Sequence, residues 1–204
     1  LISESAYLFG KEVSTGELFT KLYEKSLEGD ADCGGIMVYN YLSGEPVTGF
    51  REGRPMVVRG PESSFTLANF LRAQLYSTMA TLKIGMDILV GEHVAVDRLM
   101  GHGGLFKTPI VGQKYLAAAT KSPVSVMKTA GEGGPYGMAL LAAFMLEKGS
   151  GETLEDYLDK KVFAAAEGST LNPDEADANG FNAFLGRYKK GLAAEVAAGG
   201  FQAL

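Results

Sequence analysis

The sequence predicts an α/β layer fold, because strands and helices alternate through the centre of the chain. An apolar stretch rich in β-branched residues predicts a strand over residues 94–100, and a helix follows over residues 111–119. Residues 124–127 predict the next strand, and residues 137–148 predict a helix of small residues that can pack closely against a neighbour. With 204 residues, the chain is long enough for one sizeable core, or for one domain with an appendage.

The elements before this central part are predicted from caps and apolar spacing. Ser14 is expected to cap a first helix, with a glutamate three residues later. The apolar face of that helix consists of Leu18, Phe19, Leu22 and Leu27. A buried strand is predicted over residues 35–41, and an ordered surface loop over residues 43–64. The longest helix pattern covers residues 65–90, where apolar residues recur at spacings of three and four, and Gly91 fits its C-cap.

The C-terminal part of the chain is rich in alanine and charged residues. Two helices are predicted there, over residues 154–162 and 174–196, joined by a polar connection. Because this part lacks a core of its own, we expect a domain at residues 1–148 and a helical tail at residues 149–204 that packs on it.

Composition excludes several classes of partner. The net charge of −5 gives no basic surface for nucleic acid or anionic membranes, and no apolar run approaches the length of a membrane span. Cys33 is the only cysteine, which excludes an internal disulfide and suits a reducing compartment, so we expect a cytoplasmic protein. The two histidines show no metal-ligand spacing.

Residues 101–108 form the most informative segment of the chain. They read Gly-His-Gly-Gly-Leu-Phe-Lys-Thr and lie between a predicted strand and a predicted helix. A glycine-dense turn in this position lets a phosphate or ribose approach bare backbone N–H groups near a helix N-terminus. A nucleotide is therefore the first ligand to consider.

Two familiar glycine motifs do not match this segment. A Walker-type phosphate loop needs glycine directly before Lys-Ser/Thr, but Phe106 stands before Lys107 and Thr108. The dinucleotide-binding fingerprint would start at Gly101 and Gly103, but Phe106 replaces its third glycine. The alternative that stays open is a tight connection that binds no ligand.

Further motifs accompany this segment in order along the chain. They are Asn40-Tyr41-Leu42-Ser43-Gly44-Glu45-Pro46, a helix carrying Arg72-Ala73, Gln113, Pro123-Val124-Ser125-Val126, and the glycine-rich stretch over residues 131–143. Together these motifs resemble the C-terminal half of the FGGY carbohydrate kinases over about residues 32–143. Among these kinases, the chain resembles the xylulose-kinase-like members.

The resemblance implies a fold and a set of nucleotide-binding residues. The fold would be the ATP-binding half of the actin/hexokinase/Hsp70-like, ribonuclease-H-like fold, truncated and with a C-terminal helical appendage. Gly103 and Gly104 match the adenosine-motif glycines, and their backbone would face the phosphates or the ribose of ATP. Gly101 begins the same segment and is also predicted to bind the nucleotide. Thr108 falls near the position from which relatives reach the adenine.

The activity implied is the transfer of the ATP γ-phosphate to a hydroxyl of a pentulose-like sugar. Such a transfer uses Mg²⁺ and a carboxylate that accepts the hydroxyl proton. In the family, the catalytic Asp and most of the sugar site lie upstream of the matching region, so we expect no catalytic residue in this chain and no activity from it alone. A homodimer stays open.

Two alternatives to the kinase interpretation remain. The first is an ATP-binding or interaction module that keeps the fold and has lost the chemistry. The second is a glycine-rich structural domain without a ligand, in which side chains would fill the turn at Gly103 and Gly104.

Overall fold

The computed structural model describes residues 2–128, 131, 133–164 and 167–199. The helices are α1 Ile2–Leu8, α2 Thr15–Ser26, α3 Leu67–Gly91, α4 Val111–Thr120, α5 Gly133–Glu147, α6 Leu154–Tyr157 and α7 Glu175–Gly199. The strands are β1 Met37–Tyr39, β2 Met56–Val58, β3 Leu99–Met100, β4 Val124–Met127 and β5 Gly168–Leu171. No helix in this described part of the chain has the length and apolar character needed to cross a membrane.

The strands form two small sheets. Strands β1 and β2 pair antiparallel, with Met37 opposite Val58. In the second sheet the order is β3-β4-β5, where β3 runs parallel to β4 and β5 runs antiparallel to it. Because α4 connects the parallel strands β3 and β4 and packs against β4 and β5, the predicted alternation of strand and helix is confirmed.

The parallel strand β3 is much shorter than the sequence predicts. Of the predicted residues 94–100, only Leu99 and Met100 pair with β4. Residues 94–98 are mostly exposed and precede the strand as an irregular segment. A β-branched composition therefore predicted the strand correctly at its C-terminal end, where the glycine-rich segment begins, and wrongly at its start.

The core lies between α3, α4, α7 and β1, and Tyr76 of α3 is at its centre. The Tyr76 ring lies 5.2 Å from that of Tyr115, 5.0 Å from that of Phe181 and 5.5 Å from that of Phe184. All four residues are fully buried. These edge-to-face contacts are the geometry that aromatic rings prefer, and they add to the free energy gained by removing large apolar surfaces from water.

A buried ion cluster joins the same three helices. Arg72 of α3 donates to Asp177 of α7 and to the Tyr76 hydroxyl, and Asp177 also pairs with Lys114 of α4. Burial opposes ionisation of the Asp177 carboxyl, but its hydrogen bonds and ion pairs with Lys114 and Arg72 outweigh that effect and hold its pKa below the usual range. The charged groups therefore fix how α3, α4 and α7 sit against one another.

The C-terminal part contributes to both the sheet and the core. The predicted polar connection is partly a strand, since β5 pairs with β4 over four residues. The predicted helix over residues 154–162 is α6 followed by a π-helical turn, Leu158–Val162. Phe181, Phe184 and Tyr188 of α7 belong to the core. The division of the chain at residue 148 stays a prediction, but residues 167–199 share their core with the rest of the described chain.

Candidate functional site

The glycine-rich segment follows β3 directly and leads into α4. Residues Gly104–Lys107 form a short 3-10 turn within it. Gly103 has φ +98° and ψ −174°, a backbone conformation that is essentially restricted to glycine. A Cβ atom added to Gly103 or to Gly104 would have no heavy atom within 4 Å. Among the residues that the structure describes, no side chain therefore fills the space beside either glycine, and their backbone is open to a ligand.

One cleft brings this segment together with α2. It has a volume of about 510 Å³. The segment contributes Gly104, Lys107 and Thr108, and α2 contributes Gly16, Phe19, Thr20 and Tyr23. Two of the residues predicted to bind the nucleotide, Gly104 and Thr108, therefore lie on one cleft.

The wall formed by α2 is aromatic. Phe19 and Tyr23 are one helical turn apart, and their ring centroids lie 6.1 Å apart at an interplanar angle of 53°. Phe19 was predicted to contribute to the apolar face of α2, yet 53% of it is exposed. This wall was not predicted, although the spacing of two aromatic residues at i and i+4 is a sequence signal for it.

The polar residues of the cleft differ in exposure. Thr108 is 6% exposed and follows the 3-10 turn directly. The Thr20 hydroxyl donates to the Gly16 carbonyl at 3.0 Å. Lys107 is exposed, and its aliphatic part lies close to Gly131, where an added Cβ would be 3.0 Å from the Lys107 Cε. The cleft is thus lined by two threonines and one lysine beside an aromatic surface.

Gly101 has a different role from its two neighbours in the motif. It is buried, and its N–H donates to the Ser125 carbonyl at 2.8 Å. A Cβ atom on Gly101 would collide with the ring of Phe106. Packing therefore explains this glycine, and its predicted contact with the nucleotide stays a prediction.

Gly103 faces a second cleft, of about 360 Å³, at the beginning of α5. This cleft is lined by His102, Gly103, Gly133, Gly134, Tyr136, Gly137, Leu140 and Phe163. A Cβ atom on Gly133 would lie 2.8 Å from the Cβ of His102, so the two glycine-rich stretches pack closely together. The structure therefore joins two motifs that lie 30 residues apart in sequence, but it places Gly103 and Gly104 on different clefts.

Gln113 has a structural explanation. Its Nε2 donates to the carbonyls of Val124 and Ser169 at 3.1 and 3.0 Å, and its Oε1 accepts a hydrogen bond from the Ser169 hydroxyl. The side chain thereby ties α4 to β4 and β5. Among the residues that the structure describes, no three His, Cys, Asp or Glu side chains lie close enough together to hold a metal ion.

Comparison with protein families gives the same assignment as the motifs. A family model described as "FGGY family of carbohydrate kinases, C-terminal domain" matches residues 5–146. The chain belongs to this family. Its members are ATP-dependent phosphotransferases that act on carbohydrates. None of the curated proteins compared with the chain matches its sequence.

Several solved kinases share the fold of this FGGY domain. A xylulose kinase from Rhodospirillum rubrum is 19% identical, with a TM-score of 0.64 over 86% of this chain and 34% of its own. A gluconate kinase from Lactobacillus acidophilus is 17% identical, with a TM-score of 0.70 over 93% and 37%. Plasmodium falciparum glycerol kinase, solved with ADP, is 14% identical, with a TM-score of 0.65 over 87% and 34%.

These likenesses confirm the predicted actin/hexokinase-like fold, and the family model confirms the predicted family. At such low identities they show the fold alone. The chain spans about a third of the length of each of these kinases.

Proposed function

We propose that this chain is the nucleotide-binding part of an ATP-dependent carbohydrate kinase and that the cleft between α2 and residues 101–108 receives the adenosine moiety of ATP. The observation that carries this proposal is the convergence of Gly104 and Thr108 with the aromatic wall of α2 on one cleft. Apolar and aromatic walls with a few placed polar groups are typical of a site for a small ligand.

Each side of the cleft suits a different part of the nucleotide. The aromatic wall suits the flat base, and the hydroxyls of Thr20 and Thr108 suit polar groups at its edge. Gly104 begins the 3-10 turn and has no side chain, so a ribose or phosphate can approach its backbone closely. Lys107 adds positive charge on the same cleft.

Phosphoryl transfer depends mainly on positioning and on stabilising charge, and Mg²⁺ supplies part of that charge when it is bound with the nucleotide. The part of the chain that the structure describes has no group of three or more His, Cys, Asp or Glu side chains that could hold this ion. The acceptor is proposed to be a pentulose-like sugar, bound mainly outside these 204 residues. We expect no ATP-dependent phosphorylation of xylulose by the chain alone, and measurable turnover would contradict this.

The proposal is tested by calorimetric titration of the 204-residue chain with Mg·ADP. Gly104→Val should weaken binding at least tenfold, because the added side chain would occupy the space the ligand needs. Gly104 does not have a positive φ, so this substitution tests bulk rather than backbone strain. Lys107→Ala should weaken binding less than about fivefold, because an exposed charge contact contributes about 1 kcal/mol or less.

Gly91→Val is the matched control, since Gly91 also has no atom within 4 Å of an added Cβ and lies at the end of α3. It should bind Mg·ADP as the unchanged chain does. Normal binding by the Gly104→Val variant together with lost binding by the Lys107→Ala variant would instead indicate a lysine-centred phosphate site. Absence of binding by the unchanged chain would contradict the proposal as a whole.

A further inference from the structure

The most exposed aromatic side chain of the proposed site belongs to a helix rather than to the glycine-rich segment. Phe19 has no role in the core, since 53% of it is accessible to solvent and it lines the cleft with Gly104 and Thr108. Phe19 is exposed, and a Cβ on Gly104 would have no neighbour within 4 Å. The cleft therefore leaves open space beside the Phe19 ring.

The wall that carries Phe19 is held firmly to the core. The N-terminus of α2 is capped by Ser14, which accepts a hydrogen bond from the Glu17 N–H at 3.2 Å and confirms the predicted cap. At the other end, the hydroxyl of Ser26 is fully buried and lies 2.8 Å from the hydroxyl of Tyr115 in α4. Burial raises the pKa of Tyr115 to about 12, so this hydroxyl stays protonated well above neutral pH.

The ring of Tyr23 restricts the orientation of the Phe19 side chain. Tyr23 is partly buried against the core, and its ring lies one turn along α2 at 6.1 Å from the ring of Phe19. A ring on a fixed helix, supported by a second ring, loses little conformational freedom when a ligand packs on it. Pre-organised aromatic rings of this kind are what nucleobases stack on in proteins.

We propose that Phe19 is the stacking platform for the nucleobase and that it favours the larger purine ring over a pyrimidine. This inference rests on the proposed nucleotide site, and it assigns to that site a binding residue on α2. The base stacks on the Phe19 ring, and its sugar and phosphates extend toward Gly104, whose lack of a side chain leaves room for them.

The chain offers an unusually clean test because it contains no tryptophan. The Phe19→Trp variant therefore carries a single indole at the proposed platform, and its fluorescence should be quenched on titration with Mg·ADP. The matched control is Phe65→Trp. Phe65 is 55% exposed and has a ring partner, Phe70, at 6.2 Å, so it resembles Phe19 but does not line the cleft. Its fluorescence should not respond.

Binding measurements on the same variants give the second readout. Phe19→Ala should weaken Mg·ADP binding about fivefold or more, as expected when one base–aromatic stacking contact is lost, and Phe19→Trp should retain binding. Phe65→Ala should leave binding unchanged. The unchanged chain should bind Mg·ADP more tightly than Mg·UDP, and Phe19→Ala should reduce that preference.

The outcomes separate this inference from the proposed function. If the unchanged chain binds Mg·ADP but Phe19→Ala binds equally well and the Phe19→Trp variant is not quenched, the stacking role is wrong and the nucleotide site stands. If the unchanged chain binds neither nucleotide, the proposed site is wrong and the platform with it. Thermal unfolding of Phe19→Ala should stay close to that of the unchanged chain, which excludes a loss of binding through unfolding.

Discussion

Helices α5 and α7 show opposite relations between composition and burial. Helix α5 is almost entirely apolar, reading GGPYGMALLAAFMLE, yet none of its 15 described residues is buried. Helix α7 carries many polar and charged residues over its 25 positions. Nine of them are buried: Asp177, Ala178, Gly180, Phe181, Phe184, Leu185, Tyr188, Glu195 and Ala198. The apolar content of a helix therefore does not predict which of the two helices the described chain buries.

The contacts of the two helices explain the difference. Helix α7 places Phe181 and Phe184 against Tyr76, and a Cβ on its Gly180 would collide with the backbone of Ala31, so the helix lies very close to its neighbours. Helix α5 packs Phe144 against Tyr157 of α6 at 5.5 Å and leaves Met138, Leu141, Met145 and Leu146 exposed. Close backbone approach and aromatic interlocking, rather than hydrophobicity alone, build this core.

The largest expected effect is a contrast in stability between one residue of each helix. Phe184→Ala in α7 should lower the free energy of unfolding by about 3–5 kcal/mol, because it removes a fully buried ring and leaves a cavity. Leu146→Ala in α5 should change it by about 0.5 kcal/mol or less, since Leu146 is 87% exposed. Urea unfolding followed by circular dichroism measures both. Similar losses for the two variants would show that α5 is covered in solution.

A smaller effect is expected at the ion cluster that holds α7 in place. Lys114→Met should cost about 1.5–3 kcal/mol of unfolding free energy, because a buried carboxylate loses one of its two cationic partners while the aliphatic part of the side chain is kept. The control is Lys128→Met. Lys128 pairs with Glu167 at the surface, where both side chains are more than two-thirds exposed, so the cost should be about 1 kcal/mol or less. Equal losses of unfolding free energy for the two variants would show that the ion cluster does not account for the burial of α7.

The same cluster predicts how this stabilisation depends on pH. The pKa of Asp177 is lowered in the folded chain, where burial is outweighed by the hydrogen bonds and ion pairs with Lys114 and Arg72. A carboxyl with a depressed folded pKa contributes stability above its unfolded pKa of about 3.9, and the contribution is lost as the pH falls through the folded value.

The measurement is the difference in urea midpoint between the unchanged chain and Asp177→Asn. It should be constant from pH 7 to about pH 5 and shrink below about pH 4, where protonation of Asp177 makes the two chains alike. Taking the difference removes the acid titration of the other carboxyls. If the difference in urea midpoint stays the same at low pH, the charge of Asp177 does not contribute to packing α7.

Local signals in the sequence predicted the elements that surround the site. The Ser14 cap, the long helix α3, the strand β4 and the helix after Pro109 all depend on residues close together in the chain, and each is present. Strand β5 was missed because Gly168–Leu171 has no apolar alternation, and its partner strand lies more than 40 residues earlier. Pairing between strands that are so far apart in the chain cannot be predicted from a short stretch of sequence.

The candidate site was predictable only on the side formed by the glycine-rich segment. The glycine-rich turn was identified from a local motif and Thr108 from the resemblance to the FGGY kinases, and the structure places Gly104 and Thr108 on one cleft. Phe19 was not identified, because an amphipathic pattern assigns every apolar residue of a helix to one buried face. Tertiary packing places Phe19 of α2 beside a segment that lies 85 residues later in the chain.

The smallest expected effect tests the uncovered face of α5 most directly. Met145 is 75% exposed and Leu146 is 87% exposed, so replacing both by Glu should change the free energy of unfolding by about 0.5 kcal/mol or less. The same change should raise solubility, because a contiguous apolar surface promotes association. Light scattering over a concentration series measures association, and urea unfolding measures stability. A loss well above 1 kcal/mol, or a fall in molar mass from dimer to monomer, would show that a second copy covers α5 in solution. In that case α5 and α7 would differ only in whether their partner lies in the same chain.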